Sequence, residues 1–162
     1  MFIRAAARLT QTQRAPLGAR LFSHTAPASS ALFSAHVAKI QPTVKEISIS
    51  DLKAKISSEP SPAFHLLDVR ETHEWNEDKL PYAVYSGRGC LERDIESLVP
   101  DPYDEIVLYC AGGKRSILAA ASLQKMGYNN VASLRGGIGA WKKEGLPLGH
   151  SHKTYSDRIQ EY

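Results

Sequence analysis

The chain has 162 residues, of which 20 are basic and 17 acidic, giving a formal net charge of +3. This length allows one domain with a hydrophobic core, and no apolar run approaches the roughly 18 residues of a membrane-spanning helix, so no membrane insertion is expected. Its two cysteines, Cys90 and Cys110, do not make a disulfide framework and instead favour a reducing compartment or a reactive thiol.

The N-terminal segment is basic. No acidic residue precedes Glu46, and the arginines of this segment are Arg4, Arg8, Arg14 and Arg20. Residues 2–9 can form a short amphipathic helix, and the composition is typical of a mitochondrial transit peptide. Residues 20–23, RLFS, resemble a site cut by the matrix processing peptidase. We therefore expect residues 1–22 to be a leader that the mitochondrial import and processing machinery recognises, with the matrix as the destination.

Removal of that leader changes the charge balance. It takes away four of the 20 basic residues and none of the 17 acidic ones, which leaves 16 against 17 and a net charge of −1. The positive charge therefore belongs to the leader and gives no reason to expect nucleic-acid binding. A chloroplast leader and a basic tail without any address are the alternative interpretations.

The rest of the chain is divided by composition and periodicity. Residues 23–43 are predicted to be a flexible spacer, residues 44–147 the folded domain and residues 148–162 a C-terminal tail. The predicted strands are residues 46–49, 64–69, 82–85, 105–109 and 131–134. The predicted helices are residues 51–57, 71–76, 90–98, 116–126 and 137–144. This alternation with short connections predicts an α/β fold, with a central parallel sheet of about five strands and helices on both faces.

Residues 110–116, CAGGKRS, join the best predicted strand to the best predicted helix. Ligands of parallel sheets bind at the carboxyl ends of strands, and a cysteine stands at this one. The two glycines allow consecutive N–H groups to turn inward, while the helix N-terminus and two cations favour a thiolate, which is the nucleophilic form. We predict that Cys110 is the catalytic residue. The predicted substrate contacts are Ala111, Gly112, Gly113, Lys114, Arg115, Ser116 and Arg88.

Three segments resemble motifs of the rhodanese family, the thiosulfate sulfurtransferases. The loop at residues 110–116 is similar to the family's C-x-x-G-x-R-S form. Residues 68–71, DVRE, with Glu74 and Trp75 after them, resemble a second motif, and residues 136–141 resemble the family's G-G-x-x-x-W motif. The resemblance covers residues 44–147 and points to the single-domain, mitochondrial type with a rhodanese-like fold. One departure lies at residues 78–83, DKLPYA, where family members often have GHIPGA.

The resemblance implies a ping-pong sulfur transfer. The thiolate of Cys110 takes the sulfane sulfur of a small anionic donor, thiosulfate or a persulfide, and the backbone N–H groups of the loop cradle the resulting persulfide. Lys114 and Arg115 attract the donor. A second nucleophile, cyanide or a thiol such as glutathione or thioredoxin, then removes the outer sulfur. No cofactor and no metal is expected, because His150 and His152 lack the further ligands that a metal site needs.

Other residues and functions have competing interpretations. For Asp68 and Arg70 we predict structural support, as an ion pair or a backbone anchor. Arg88 either borders the pocket or belongs to the surface or a structural pair. Cys90 is predicted to pack its helix against the sheet, and the alternatives are a second sulfur carrier or a regulatory disulfide with Cys110. The alternative functions are a non-enzymatic persulfide carrier, a regulatory binding module and a phosphatase. A phosphatase loop of the Cys-x₅-Arg form would need arginine at position 116, where this chain has serine.

Overall fold

The structure is a computed structural model and describes residues 31–57 and 64–149. The predicted leader, most of the predicted C-terminal tail and both histidines of the weak metal hypothesis lie outside the described residues. Among the helices of the described part, none combines the length and apolar character needed to cross a membrane.

Within the described residues, five parallel strands form one sheet. They are β1 Lys45–Ile47, β2 His65–Asp68, β3 Val84–Tyr85, β4 Ile106–Tyr109 and β5 Val131–Leu134. Their order in the sheet is β1-β5-β4-β2-β3, and each neighbouring pair is parallel. Every residue of β4 and β5 is buried, as expected for central strands covered on both faces. The predicted α/β fold is confirmed.

Helices cover both faces of the sheet. In the described part they are α1 Ala31–Ile40, α2 Ile49–Ser57, α3 Thr72–Glu77, α4 Leu91–Leu98, α5 Lys114–Met126 and α6 Gly137–Lys143. One core cluster joins the sheet to α1, α4 and α5, and a second joins it to α2, α3 and α6. Strand β4 serves both clusters because successive side chains alternate: Leu108 belongs to the first, Val107 and Tyr109 to the second.

Helix α1 corrects part of the predicted flexible spacer over residues 23–43, namely residues 31–43; residues 23–30 lie outside the described residues. Residues 31–40 are helical and a 3₁₀ turn follows at Gln41–Thr43. Val37 is buried in the first core cluster, and Ile40 packs against that cluster from the same side of the helix. The Ser, Ala and Pro content masked this spacing of two apolar residues, which gives α1 a face to bury against α5.

The folded part also extends past its predicted end at residue 147. The N–H of Gly149 donates to the carbonyl of Lys79 at 2.8 Å, and Leu148 packs against the second core cluster.

The segment that departs from the family pattern, residues 78–83, contains an unusual backbone conformation. Tyr82 adopts a left-handed backbone conformation, φ +62°, at the position where family members often have glycine. The turn before β3 therefore keeps a conformation that suits glycine, although its residue is an exposed tyrosine.

Candidate active site

Cys110 directly follows β4, and its side chain lies beneath a tight loop at the N-terminus of α5. It is 1% exposed, and its Sγ accepts a hydrogen bond from the N–H of Gly113 at 3.1 Å. The Ser116 hydroxyl lies 3.6 Å from the same sulfur and is oriented to donate to it. Gly113 has φ +91° and caps α5, so the chain turns back over the sulfur at this residue. The N-terminus of α5, with its partial positive charge, thus lies next to the sulfur.

Two buried serines stand behind the sulfur. The Ser116 hydroxyl also lies 2.9 Å from the Gly113 carbonyl and 2.8 Å from the hydroxyl of Ser133 on β5. A hydroxyl donates one hydrogen bond and can accept others, so Ser133 can donate a hydrogen bond to Ser116 while Ser116 donates its own to the sulfur or to the Gly113 carbonyl. The sequence analysis missed Ser133. The one signal for it is a polar residue in the middle of an otherwise apolar buried strand.

The glycine-rich first turn of α6 supports the loop. The N–H of Ile138 donates to the carbonyl of Cys110 at 2.9 Å, and the N–H of Gly139 donates to the carbonyl of Ala111 at 3.0 Å. At Gly137 the backbone is left-handed, φ +56°, and a Cβ placed there would lie 2.1 Å from the Cys110 carbonyl oxygen. The G-G-x-x-x-W motif therefore has a physical role here: it lets a helix N-terminus approach the backbone of the sulfur loop.

The two loop cations have different surroundings. The guanidinium of Arg115 donates to both carboxylate oxygens of Glu74 on α3, at 2.7 and 2.8 Å, and lies 3.7 Å from Glu71. The hydrogen bonds from Arg115 lower the pKa of Glu74 to about 2. The pKa of Arg115 is raised, chiefly by Glu74, and the negative charge of Cys110 contributes. Lys114 instead donates to Ser34 on α1 at 3.1 Å, and no carboxylate of the described residues forms a salt bridge with it.

Asp68 and Arg70 form a buried ion pair at the end of β2. Arg70 Nη2 lies 2.7 Å from Asp68 Oδ2, and the backbone N–H of Arg70 donates to Asp68 Oδ1 at 2.9 Å. Arg70 Nη1 also reaches Asp78 at 3.2 Å. Both members of the pair are almost fully buried. The structure therefore gives them the ion-pair and backbone-anchoring positions that the sequence analysis predicted as structural support.

Arg88 has a partner away from the sulfur loop. Its guanidinium donates to Glu92 at 2.6 Å, and Glu92 also accepts from Ser122 at 2.6 Å. This arrangement corresponds to the structural pair that was the alternative to substrate contact. Cys90 is partly exposed and forms the N-cap of α4, outside both core clusters, so the prediction that it packs the helix against the sheet is wrong.

The residues that the structure describes contain no group of three or more histidine, cysteine or acidic side chains placed to hold a metal ion. The contacts of the Cys110 sulfur in this structure are with the N–H of Gly113 and the hydroxyl of Ser116. A parallel α/β sheet that places a cysteine beneath such a loop has the geometry of an anion-binding, thiol-based site.

Comparison with known proteins gives the family. The chain matches the sequence model of the Rhodanese-like domain over residues 48–144, more than half of its length, and belongs to that family. It is 36% identical over 104 residues to the putative sulfurtransferase YtwF of Bacillus subtilis, covering 64% of this chain and 96% of that protein. It is 28% identical over 113 residues to the thiosulfate:glutathione sulfurtransferase of Saccharomyces cerevisiae, covering 63% of this chain and 81% of that protein.

Other matches differ in extent or in description. The chain spans only 55% of the length of the putative sulfur carrier protein YrkF of Bacillus subtilis, to which it is 31% identical. A solved structure from Rhodopseudomonas palustris, of a protein of unknown function described as a possible tyrosine phosphatase, is 32% identical. Its TM-score is 0.64, covering 72% of this chain and 93% of that one. The sulfurtransferases among the sequence relatives support sulfur transfer as the general activity.

Proposed function

We propose that this protein is a thiosulfate sulfurtransferase that works through a persulfide on Cys110. The thiolate attacks the sulfane sulfur of thiosulfate, a new S–S bond forms, and sulfite leaves with the electron pair of the broken bond. An acceptor thiolate or cyanide then attacks the outer sulfur and returns Cys110 to its thiolate form. The observation that carries this proposal is the Cys110 sulfur under the Gly113 N–H and the Ser116 hydroxyl.

The surroundings of the sulfur favour negative charge at each stage. The donor, the thiolate and the persulfide are all anions, and N–H donors at a helix N-terminus stabilise anions without reorganising. The charge of Arg115 is largely balanced by Glu74, so it contributes at short range and less to attraction from a distance. Lys114 is exposed and forms no salt bridge among the described residues, which supports it as the main cation for drawing the donor to the loop.

Sulfur loading tests the proposal directly. The full chain is incubated with thiosulfate, freed of small molecules and measured by intact-protein mass spectrometry. We expect one added sulfur atom, which cyanide removes as thiocyanate. Cys90→Ser is the matched control and should load normally, whereas Cys110→Ser should not load. Sulfur on the Cys110→Ser protein, or none on the parent, contradicts the proposal.

Donor attraction by Lys114 is tested by kinetics. Lys114→Ala should raise the KM for thiosulfate several-fold at low salt, and the difference from the parent should shrink as added salt screens the charge. Lys125→Ala is a matched control because Lys125 is exposed near the other end of the same helix. An equal KM for the Lys114 and Lys125 variants at low salt would remove Lys114 from donor attraction.

Other donors and acceptors fit the same chemistry. A persulfide can replace thiosulfate as donor, and a thiol such as glutathione or thioredoxin can serve as acceptor. A persulfide carrier would differ only in the partner that takes the sulfur. A phosphatase is disfavoured because Ser116, not arginine, occupies the sixth position after Cys110, and Arg115 is turned to Glu74. We therefore expect no hydrolysis of an aryl phosphate by protein that loads sulfur.

We further propose that the protein acts in the mitochondrial matrix. The support is the four arginines within residues 1–22 and the absence of any acidic residue before Glu46. Residues 1–30 fused to a fluorescent protein should direct it to mitochondria and be shortened there, and replacement of the four arginines by glutamine should abolish both effects. Plastid import of the same fusion, or a uniform distribution, would contradict the proposed address.

A further inference from the structure

A cleft lies on the outer side of the sulfur loop and shares only Gly112, Gly113 and Lys114 with the chemistry described above. It has a volume of about 240 Å³, is partly open, and lies between α1 and the carboxyl edge of β1 and β5. Gly112 and Gly113 of the sulfur loop line one wall, and Ser34 of α1 lines another. The cleft exists because α1 packs along α5, which the sequence prediction of a flexible spacer over residues 23–43 does not include.

Two cations and one carboxylate face this cleft. The ammonium group of Lys114 donates a hydrogen bond to the Ser34 hydroxyl at 3.1 Å, and its other N–H groups can donate to a ligand. Arg135 lines the opposite side, with its side chain 68% exposed. Its Nε lies 3.9 Å from Glu46, which is too far for a hydrogen bond. Glu46 is mostly buried and accepts a hydrogen bond from Gln41 at 2.9 Å. The cleft is therefore lined by two positively charged side chains and one negatively charged side chain.

The cleft also adjoins the reactive sulfur. Gly113 lines it on the outside, while the N–H of the same residue donates to Cys110 Sγ at 3.1 Å. The next residue back, Gly112, is exposed, and a Cβ placed on it would meet nothing within 4 Å. A molecule held in the cleft is thus separated from the sulfur by the thin backbone of a glycine pair, over which a flexible thiol can reach.

We propose that this cleft binds the non-reacting end of the acceptor, and that the acceptor is a small thiol bearing carboxylates and an ammonium group. Its carboxylates pair with Lys114 and Arg135, and its ammonium group pairs with Glu46. The thiolate attacks the outer sulfur of the Cys110 persulfide, the S–S bond to Cys110 breaks, and the acceptor leaves as a persulfide. This inference rests on the proposed sulfur transfer and deepens it by assigning a binding site, with Arg135 and Glu46, to the charged end of the acceptor.

Direct binding tests the cleft without catalysis. The probe is S-methylglutathione, which cannot accept sulfur, and the protein is the full chain with Cys110→Ser. Calorimetry should show binding that Arg135→Glu weakens at least tenfold and that Arg135→Lys leaves within about threefold, because charge is reversed in one variant and kept in the other. Arg93 is exposed on α4, so Arg93→Glu makes the same change of charge away from the cleft and is the matched control. Its affinity for S-methylglutathione should equal that of the parent. No binding, or equal binding by the Arg135→Glu and Arg93→Glu proteins, overturns the inference.

Kinetics with Cys110 intact provide the second readout. The acceptors are glutathione and 2-mercaptoethanol, which lacks the charged groups. The ratio of the KM for glutathione to the KM for 2-mercaptoethanol should rise about tenfold in Arg135→Glu and stay constant in Arg93→Glu. An unchanged ratio overturns the inference while the sulfur transfer stands. Failure of thiosulfate to load Cys110 in the parent would instead refute the proposed function. The calorimetry would still show whether the cleft binds S-methylglutathione.

Discussion

Gly137→Ala tests whether the backbone contact between α6 and the sulfur loop holds the active site. The added Cβ would lie 2.1 Å from the Cys110 carbonyl oxygen and 2.9 Å from both the carbonyl carbon and the oxygen of Ala111. Ordinary contact begins at 3.4 Å, so the two backbones must separate by roughly 1.3 Å. A shift of that size breaks the hydrogen bonds that Ile138 and Gly139 donate to the loop carbonyls.

The expected cost has two parts. A left-handed alanine costs about 1 kcal/mol, and two lost hydrogen bonds cost about 1 kcal/mol each, with further strain from incomplete separation. We therefore expect Gly137→Ala to lower the free energy of unfolding by about 4 kcal/mol. Displacement of the sulfur by about 1 Å should slow its reaction with thiosulfate about a hundredfold, because reactivity depends steeply on placement.

A second glycine separates the clash from the backbone strain. Gly145 has φ +65°, and a Cβ there would meet nothing within 4 Å, so Gly145→Ala should cost only about 1 kcal/mol and leave the rate of sulfur loading near that of the parent. Unfolding is measured in urea, and loading by rapid mixing with thiosulfate under conditions where each variant is folded. If the two variants match in both measurements, α6 does not hold the loop and this explanation of the motif fails.

Three further predictions concern stability and reactivity. Arg115 lowers the pKa of Glu74 from its usual 4.5 to about 2, so the ionised carboxylate stabilises the folded state. The free energy of unfolding of Glu74→Gln should therefore be lower than that of the parent by a constant amount above pH 4.5, and the difference should shrink as the pH falls toward 2. A difference that does not change with pH would contradict this explanation. Val37→Ala should lower the free energy of unfolding, measured in urea, by about 2 kcal/mol. Leu32 is 81% exposed on the same helix, so Leu32→Ala should have little effect. Equal losses in the two variants would mean that α1 is not packed against the core. Ser116→Ala should slow sulfur loading from thiosulfate about tenfold, because the sulfur that receives the transferred atom loses a hydrogen-bond donor; an unchanged loading rate would exclude that role.

The location of the site followed from the sequence because it depends on local order. Cys110 ends an apolar run and precedes glycines and a helix, and in a parallel sheet the carboxyl ends of strands share one edge. The start of that helix was placed at residue 116 rather than Lys114, because Gly113 itself caps the helix in a left-handed conformation. Side-chain chemistry does not mark such a cap, so the boundary was not visible.

Contacts between distant residues could not be predicted in the same way. The sequence predicts that Arg115 attracts the donor, whereas Glu74, 41 residues away along the chain, holds its guanidinium through two hydrogen bonds. The sequence marked Glu74 only as part of a family motif. Arg88 is a different case, because its partner Glu92 lies only four residues further along the chain, and the charge of Arg88 alone does not distinguish this local pair from a position in the pocket. Charge in a loop predicts proximity to a site but does not reveal which charges are already balanced.

The dependence of the sulfur loop on α6 has a consequence for the newly made chain. The loop is synthesised well before residues 136–141, and two of its carbonyls find their hydrogen-bond partners only in that later segment. A ribosome-bound chain that ends before this segment thus lacks the support that shapes the loop around its thiol. The loop should therefore take its final form only after α6 has been synthesised and has packed against it.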